Sequence, residues 1–366
     1  MITSFYNKNT LLFISIGVAV TLIGMLSSFY LPARFLADAG TIVSDQYNEI
    51  GWLGSYPFSI GFYQKTGLSD LDYSLVGLIQ VPILFYIIGK LGIPDVFARF
   101  TLRNGIVWIN LLLIAFFVSY PSKEFINILY LGIIALVLIS PMSLRKKILI
   151  STLLFAFFSW FFRPYYILVP IIAGCIYVVN IVSIRNKAIS NIVIGLLFTA
   201  FISFSYGAVK GEFMTESSRE NLNEMRLEKG DQDADTMIVS PVPADTVYGE
   251  SISILYGFFT VNIPLNGLRF WYKPQVIAFL LLQLITFYVL FVYYGRVLKN
   301  RKFSHEQWVL NLLFAYFILQ GVFEPDLGSA IRHKIGVIPL LWLAMYYDQN
   351  LIKRPKLTRK YIFKRS

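Results

Sequence analysis

Apolar runs alternate with polar connections along the whole chain. Ten of them are assigned to the bilayer: Thr10–Leu31, Ser74–Leu91, Asn104–Tyr120, Phe125–Pro141, Ile148–Phe162, Tyr165–Ser183, Ala188–Val209, Pro274–Tyr294, Gln307–Phe323 and Ile335–Tyr347. A straight spanning helix takes about 20 residues, so the shorter runs have loosely fixed ends, and the last extends past Asp348 to Ile352. Ile252–Leu265 is apolar but only 14 residues long, a length that suits a re-entrant segment. The expected fold is therefore all-α: a polytopic integral membrane protein with about ten transmembrane helices. Residues 1–366 form a single transmembrane domain, with large outer loops at 32–73 and 210–273, one re-entrant segment and a basic tail at 353–366.

Charge orients this arrangement. Of the 32 Lys and Arg residues, 20 fall in alternate connections and in the tail, where only Asp95, Glu306 and Asp348 oppose them. Lys and Arg bias marks cytoplasmic loops, so both termini are expected in the cytoplasm. Counting Ile252–Leu265 as a span would carry Lys299, Arg301, Lys302 and the basic tail to the other side. The remaining connections hold 12 cations and 18 acids and face outward.

Composition agrees. A mean hydropathy of +0.63 with 56% hydrophobic and 14% charged residues excludes an ordinary soluble enzyme. The net charge of +11 sits in short loops after apolar runs, so it reads as orientation and contact with anionic headgroups, and no nucleic-acid partner is expected. The single cysteine, Cys175, lies in an apolar run and excludes an intramolecular disulfide. The first segment is too long for a signal-peptide core and is expected to be retained.

Candidate chemistry concentrates on the outer side. Arg34 follows the first span, Lys123 lies in the turn PSKE, Arg163 precedes Tyr165 and Tyr166, and Arg332, His333 and Lys334 precede the last span. Such cations either snorkel to headgroups or, as a converging set, suit a phosphate or pyrophosphate, with Arg favoured for two-toothed contact. Asp38 is the candidate general base, against the alternative of a helix cap or an ion pair with Arg34. Glu324 is a candidate substrate contact, and His333 is read as a hydrogen-bonding partner. Trp52, with the tyrosines at 165 and 166, offers aromatic faces for a carbohydrate, although interface belts hold the same residues. Glu212, Glu216, Glu220, Glu224 and Glu228 recur every fourth residue, a stripe expected to face solvent. The Asp-x-Asp in Asp231–Asp235 is a weak metal motif. No cofactor or metal is expected, and the scarcity of internal acids argues against a proton relay.

The layout resembles the Wzy-type oligosaccharide-repeat polymerases of O-antigen and capsule synthesis. The strings PSKE, RPYY and SAIRHKIGVIP carry the likeness, together with two sizeable outer loops and Tyr/Phe-rich spans. The resemblance implies a metal-independent glycosyltransferase in the bacterial inner membrane. It would join undecaprenyl-pyrophosphate-linked oligosaccharides on the outer face, with a chain-length regulator as a further partner. Arg163, Arg332 and Lys123 would then stabilise the leaving pyrophosphate. The acidic loop two departs from the Arg-rich outer loops of some such polymerases. A GT-C-type transferase using a polyprenyl-phosphate sugar, or a flippase for lipid-linked glycans, are the alternatives; the one-sided polar groups favour an enzyme over a transporter.

Overall fold

The structure, a computed structural model, describes residues 7–45, 48–179, 187–228, 236–300 and 304–352, with the side chains of residue 34, residue 300 and residues 348–352 left aside. The Asp-x-Asp run and the basic tail lie outside the described residues. In chain order the helices are α1 (Lys8–Tyr30), α2 (Ala37–Ser44), α3 (Ser55–Thr66), α4 (Tyr73–Lys90), α5 (Leu102–Phe117), α6 (Lys123–Ile139), α7 (Leu144–Phe161), α8 (Leu168–Val179), α9 (Lys187–Lys210), α10 (Asn221–Glu228), α11 (Val247–Asn262), α12 (Pro274–Asn300), α13 (His305–Phe323), α14 (Leu327–Gly336) and α15 (Ile338–Ile352). Among the described residues there is no strand, only one isolated bridge between Met237 and Asp326. Each of the ten apolar runs overlaps a helix in its described residues, the last being divided between α14 and α15. Among the described residues five helices are long and apolar enough to cross a membrane: α1, α4, α9, α12 and α13. This is the fold of a helical membrane protein.

The chain divides into two compact units. The first comprises residues 1–164 and 335–366, and the second residues 165–334. In the first unit, α1 packs on α4 and α5 through small residues. A methyl group on Gly24 would stand 2.7 Å from the Ser119 Cβ, and one on Gly77 would meet the Ser119 carbonyl at 3.0 Å. Without water, helices associate by such close packing rather than by hydrophobic exclusion. At the opposite end of α1, Phe13, Phe97 and Trp342 meet with ring centroids 5.5–5.9 Å apart, docking α15. Asn9 fastens the start of α1 by donating to the Asp95 carbonyl and accepting from the Ala98 amide.

The second unit is organised around α13. Of its apolar window 94% is buried, against 22% for α9. Its amides explain the difference, since a polar group in a span turns inward to find partners. Asn311 accepts from Tyr294, which accepts in turn from Asn191, joining α13, α12 and α9 at 2.7 Å per step. Across α13 and α11 the backbones touch: any Cβ on Gly257 would run into the Gly321 carbonyl.

Several expectations change. The first large outer loop is half helical, with α2 and α3 inside it. The apolar run at Ile252 begins earlier, at a Thr246 cap, so its helix also carries the polar start Val247–Ser251. The glutamate stripe is broken, because Glu216–Glu220 forms a π turn and every later position rotates out of register. Glu212, Glu224 and Glu228 are exposed, but Glu216 caps the Phe213 amide, and Glu220 takes the Ala244 amide at 3.1 Å.

Candidate functional sites

In the first unit a charged cluster is assembled where α6 begins. Ser122 caps the helix by accepting from the Phe125 amide, and the Tyr63 hydroxyl accepts from the Ser122 amide at 3.0 Å. Gln80 receives the Tyr63 proton at 2.6 Å while its amide nitrogen reaches the Val118 and Tyr120 carbonyls. That frame aims Lys123 and Glu124 in different directions. Lys123 meets Asp38 at 3.4 Å and sits 3.7 Å over the Tyr56 ring, whose hydroxyl donates to Asp38 at 2.7 Å. Glu124 takes Arg163 at 3.0 Å with both side chains buried.

The Asp38 carboxylate thus finds Lys123 and Tyr56, neither of which the sequence pairs with it. Arg34 follows α1 in the 3₁₀ turn Ala33–Leu36. Trp52 is 43% exposed, lies against Gly61, and carries the Lys65 ammonium 4.1 Å over its ring. It belongs to an aromatic patch with Phe58, whose ring is 4.8 Å from Phe161.

The second unit holds a different cluster where α13 ends. Gln320 donates to Glu324 at 3.2 Å and to the Ala330 carbonyl at 3.1 Å, folding the chain back into α14. Asp326 starts α14 by accepting the Ser329 amide and hydroxyl, each at 2.7 Å. Burial pushes the Asp326 carboxyl upward, but Arg226 at 2.6 Å and the Ser329 hydrogen bonds outweigh it, and the group ends below its ordinary value. One turn along α14, His333 Nδ1 stands 2.7 Å from Glu324 Oε1. Tyr316 donates to the His333 carbonyl at 3.0 Å.

Lys334 points the other way. It is buried, donating to the Val261 carbonyl at 2.9 Å and to Gln283 at 2.7 Å, with the Phe317 ring 5.1 Å from its nitrogen. Burial lowers its pKa to about 7, with Glu324 opposing the shift. Lys334, expected from the sequence as a substrate contact, thus spends two of its three donors on neutral acceptors inside the fold. Arg332 is half-buried on the same helix. Tyr165 stacks on Phe323 at 4.6 Å, next to Glu324, whereas Tyr166 is wholly buried, its ring centroid 5.9 Å from that of Tyr316.

Sequence reasoning passed over Arg219 and Glu250. Arg219, in the π turn, donates to the Gly321 carbonyl and to both oxygens of Ser253. Burial lowers its pKa to about 10, against the pull of Glu220 and Glu250. Glu250 accepts from Ser203 and from both donors of Thr215, and burial raises its carboxyl pKa despite those bonds. A glutamate opening an apolar run was a usable signal; nothing in the local sequence marked Arg219. Loop two is also anchored: Ile238 donates to the Pro325 carbonyl at 2.7 Å, beside the Arg226–Asp326 pair. Among the described residues no group of three or more His, Cys, Asp or Glu is placed to hold a metal.

Comparison of the chain with protein-family models, with curated proteins and with solved structures returns no match.

Proposed function

We propose that the protein is a membrane glycosyltransferase that polymerises oligosaccharide repeats delivered on undecaprenyl pyrophosphate. The observation that carries this reading is the Glu324–His333 pair at the end of the most buried apolar helix. A carboxylate on one imidazole nitrogen orients the ring and fixes its tautomer, the arrangement by which an imidazole serves as base toward a sugar hydroxyl. The His333 side chain is 16% exposed, enough to be reached. Glu324 is then a positioning residue and His333 the base, a role that moves from Asp38. Arg332 is the cation on the same helix for the leaving pyrophosphate, where electrostatic stabilisation counts most. The Tyr165–Phe323 stack offers a flat face beside the pair for a sugar ring. Arg163, held by Glu124, is reassigned to structure.

The topology belongs to the same reading: ten spans in a bacterial inner membrane, both termini cytoplasmic, and the Glu324–Lys334 turn outside. Among the described residues, seven of the nine buried charged ones (Lys123, Glu124, Arg163, Arg219, Glu250, Glu324 and Lys334) lie in outer connections on this topology. Only Lys147 and Glu306 are inner. One-sided machinery suits a donor that arrives lipid-linked.

Purified protein supplied with lipid-linked repeats should yield a ladder of glycans one repeat apart. Addition of one sugar and no ladder would establish the GT-C alternative, and passage of intact repeats between leaflets without bond formation would establish the flippase. Reporter fusions after Lys147 should read cytoplasmic and those within Glu212–Glu228 outside; the reverse result would overturn the topology.

A further inference from the structure

Within the first unit, α1 and α4 run antiparallel: Gly89 faces Phe13, Gly17 faces Phe85, and Gly77 faces Gly24. Beside these contacts lies a groove of about 670 Å³. Its walls are mostly apolar, with Gly17, Leu22 and Pro82 among them; the one charged side chain in its lining, Lys90, lies at the Thr10 end, while at the other end the Thr21 hydroxyl is turned onto the Gly17 carbonyl. A Cβ on Gly17 would stand 2.9 Å from the Phe85 ring, so glycine sets how closely the two helices meet there.

The dimensions select an occupant. From Thr10 to Leu22 the helix rises roughly 18 Å, at about 1.5 Å per residue. A bilayer's hydrocarbon core is about 30 Å thick, so the groove matches one leaflet and not the whole membrane. Lys90 is exposed, its ammonium 4.9 Å over the Tyr86 ring, and it stands where that leaflet's headgroups would lie. The basic side of the sequence places this end at the cytoplasmic surface, where anionic lipids concentrate.

We infer that the α1–α4 groove is a binding site for an anionic phospholipid, with one acyl chain along Gly17 and Pro82 and the headgroup phosphate at Lys90. The lipid covers the face of α1 on which Val18 and Leu22 stand 55% and 50% exposed. It thereby adds to the contacts that α4 and α5 make with this helix.

The test uses full-length protein in detergent, read by native mass spectrometry against phosphatidylglycerol and phosphatidylcholine of identical acyl chains. Wild type should retain phosphatidylglycerol preferentially, and Lys90→Gln should weaken that retention about fivefold without touching phosphatidylcholine. Val18→Trp, which fills the groove from an exposed position, should reduce both. Equal retention of the two lipids, or no change in Lys90→Gln, would overturn the inference. So would tighter binding of a polyprenyl phosphate, which would assign the groove to the glycan carrier. Should Val18→Trp not fold, the Lys90→Gln comparison decides alone.

Discussion

Lys123 and Lys334 are both buried lysines, one in the first turn of α6 and one in the last turn of α14, and their surroundings differ in kind. Lys123 lies between a carboxylate and an aromatic face, with Asp38 at 3.4 Å and Tyr56 at 3.7 Å. Lys334 has a carbonyl and an amide oxygen as its closest partners, and no carboxylate within ion-pair distance is seen. The region around Lys123 is a set of matched ion pairs, a lock between helices. Around Lys334 burial without a paired carboxylate brings that one ammonium near a change of protonation state. Two clusters of similar composition can therefore serve opposite ends, and partner identity distinguishes them better than residue type does.

The largest expected effect tests the proton-handling side. His333→Ala should lower the rate of glycan polymerisation by about 10²–10⁴-fold, the usual contribution of a general base, at unchanged protein level and melting temperature. Glu324→Gln should reduce the rate less and shift its pH profile, since it only orients the ring. Wild-type rates in both variants would remove the pair from the chemistry and dissolve the contrast.

The ion-pair side should answer in stability instead. Glu124→Ala leaves a buried Arg163 without its carboxylate and should cost about 3–5 kcal/mol, seen as loss of folded protein in detergent. The double variant Glu124→Leu with Arg163→Met should recover most of it. If the double variant folds but makes no polymer, Arg163 acts on substrate after all, and the division between lock and site fails.

pH provides a third, smaller probe. Lys334 titrates near 7 when folded and near 10.5 ordinarily. Between those values the unfolded chain binds one more proton, so stability rises with pH across that window, by up to about 1.4 kcal/mol per pH unit. Below about pH 7 the folded protein carries the buried charge and its full cost. Lys334→Met should flatten the slope measured by thermal unfolding from pH 7 to 9. The smallest effect belongs to the rim: Lys65→Ala should change stability by no more than about 1 kcal/mol, because an exposed cation over Trp52 contributes little.

Much of the helical layout was legible because bilayer-length hydropathy is a long, redundant signal. Thr10–Leu31 becomes Lys8–Tyr30, and Ala188–Val209 becomes Lys187–Lys210. Which helix is central was less visible. The more apolar α1 is 28% buried over its apolar stretch, while the less apolar α13 is 94% buried. In lipid the less apolar helix goes inside, and Asn311 and Gln320 already carried that message. The clusters were only half readable. Sequence proximity suggested Arg34 for Asp38, whereas the partner arrives from 85 residues away, on the first turn of α6. Tertiary pairing of this kind leaves no local trace, and the same holds for Arg219.

The π turn at Glu216–Glu220 has a consequence for chain length. One residue there is surplus to the regular helical count, and the surplus lets two basic groups serve two separate partners: Arg219 the Gly321 carbonyl, Arg226 the Asp326 carboxylate. Deleting one residue, Ser217 or Ser218, would restore an unbroken ladder and so favour the helix locally. Everything after the deletion would turn by about 100° relative to what precedes it. The more regular helix would then have to release one anchor or the other, so a local gain in order would loosen loop two from the turn it holds.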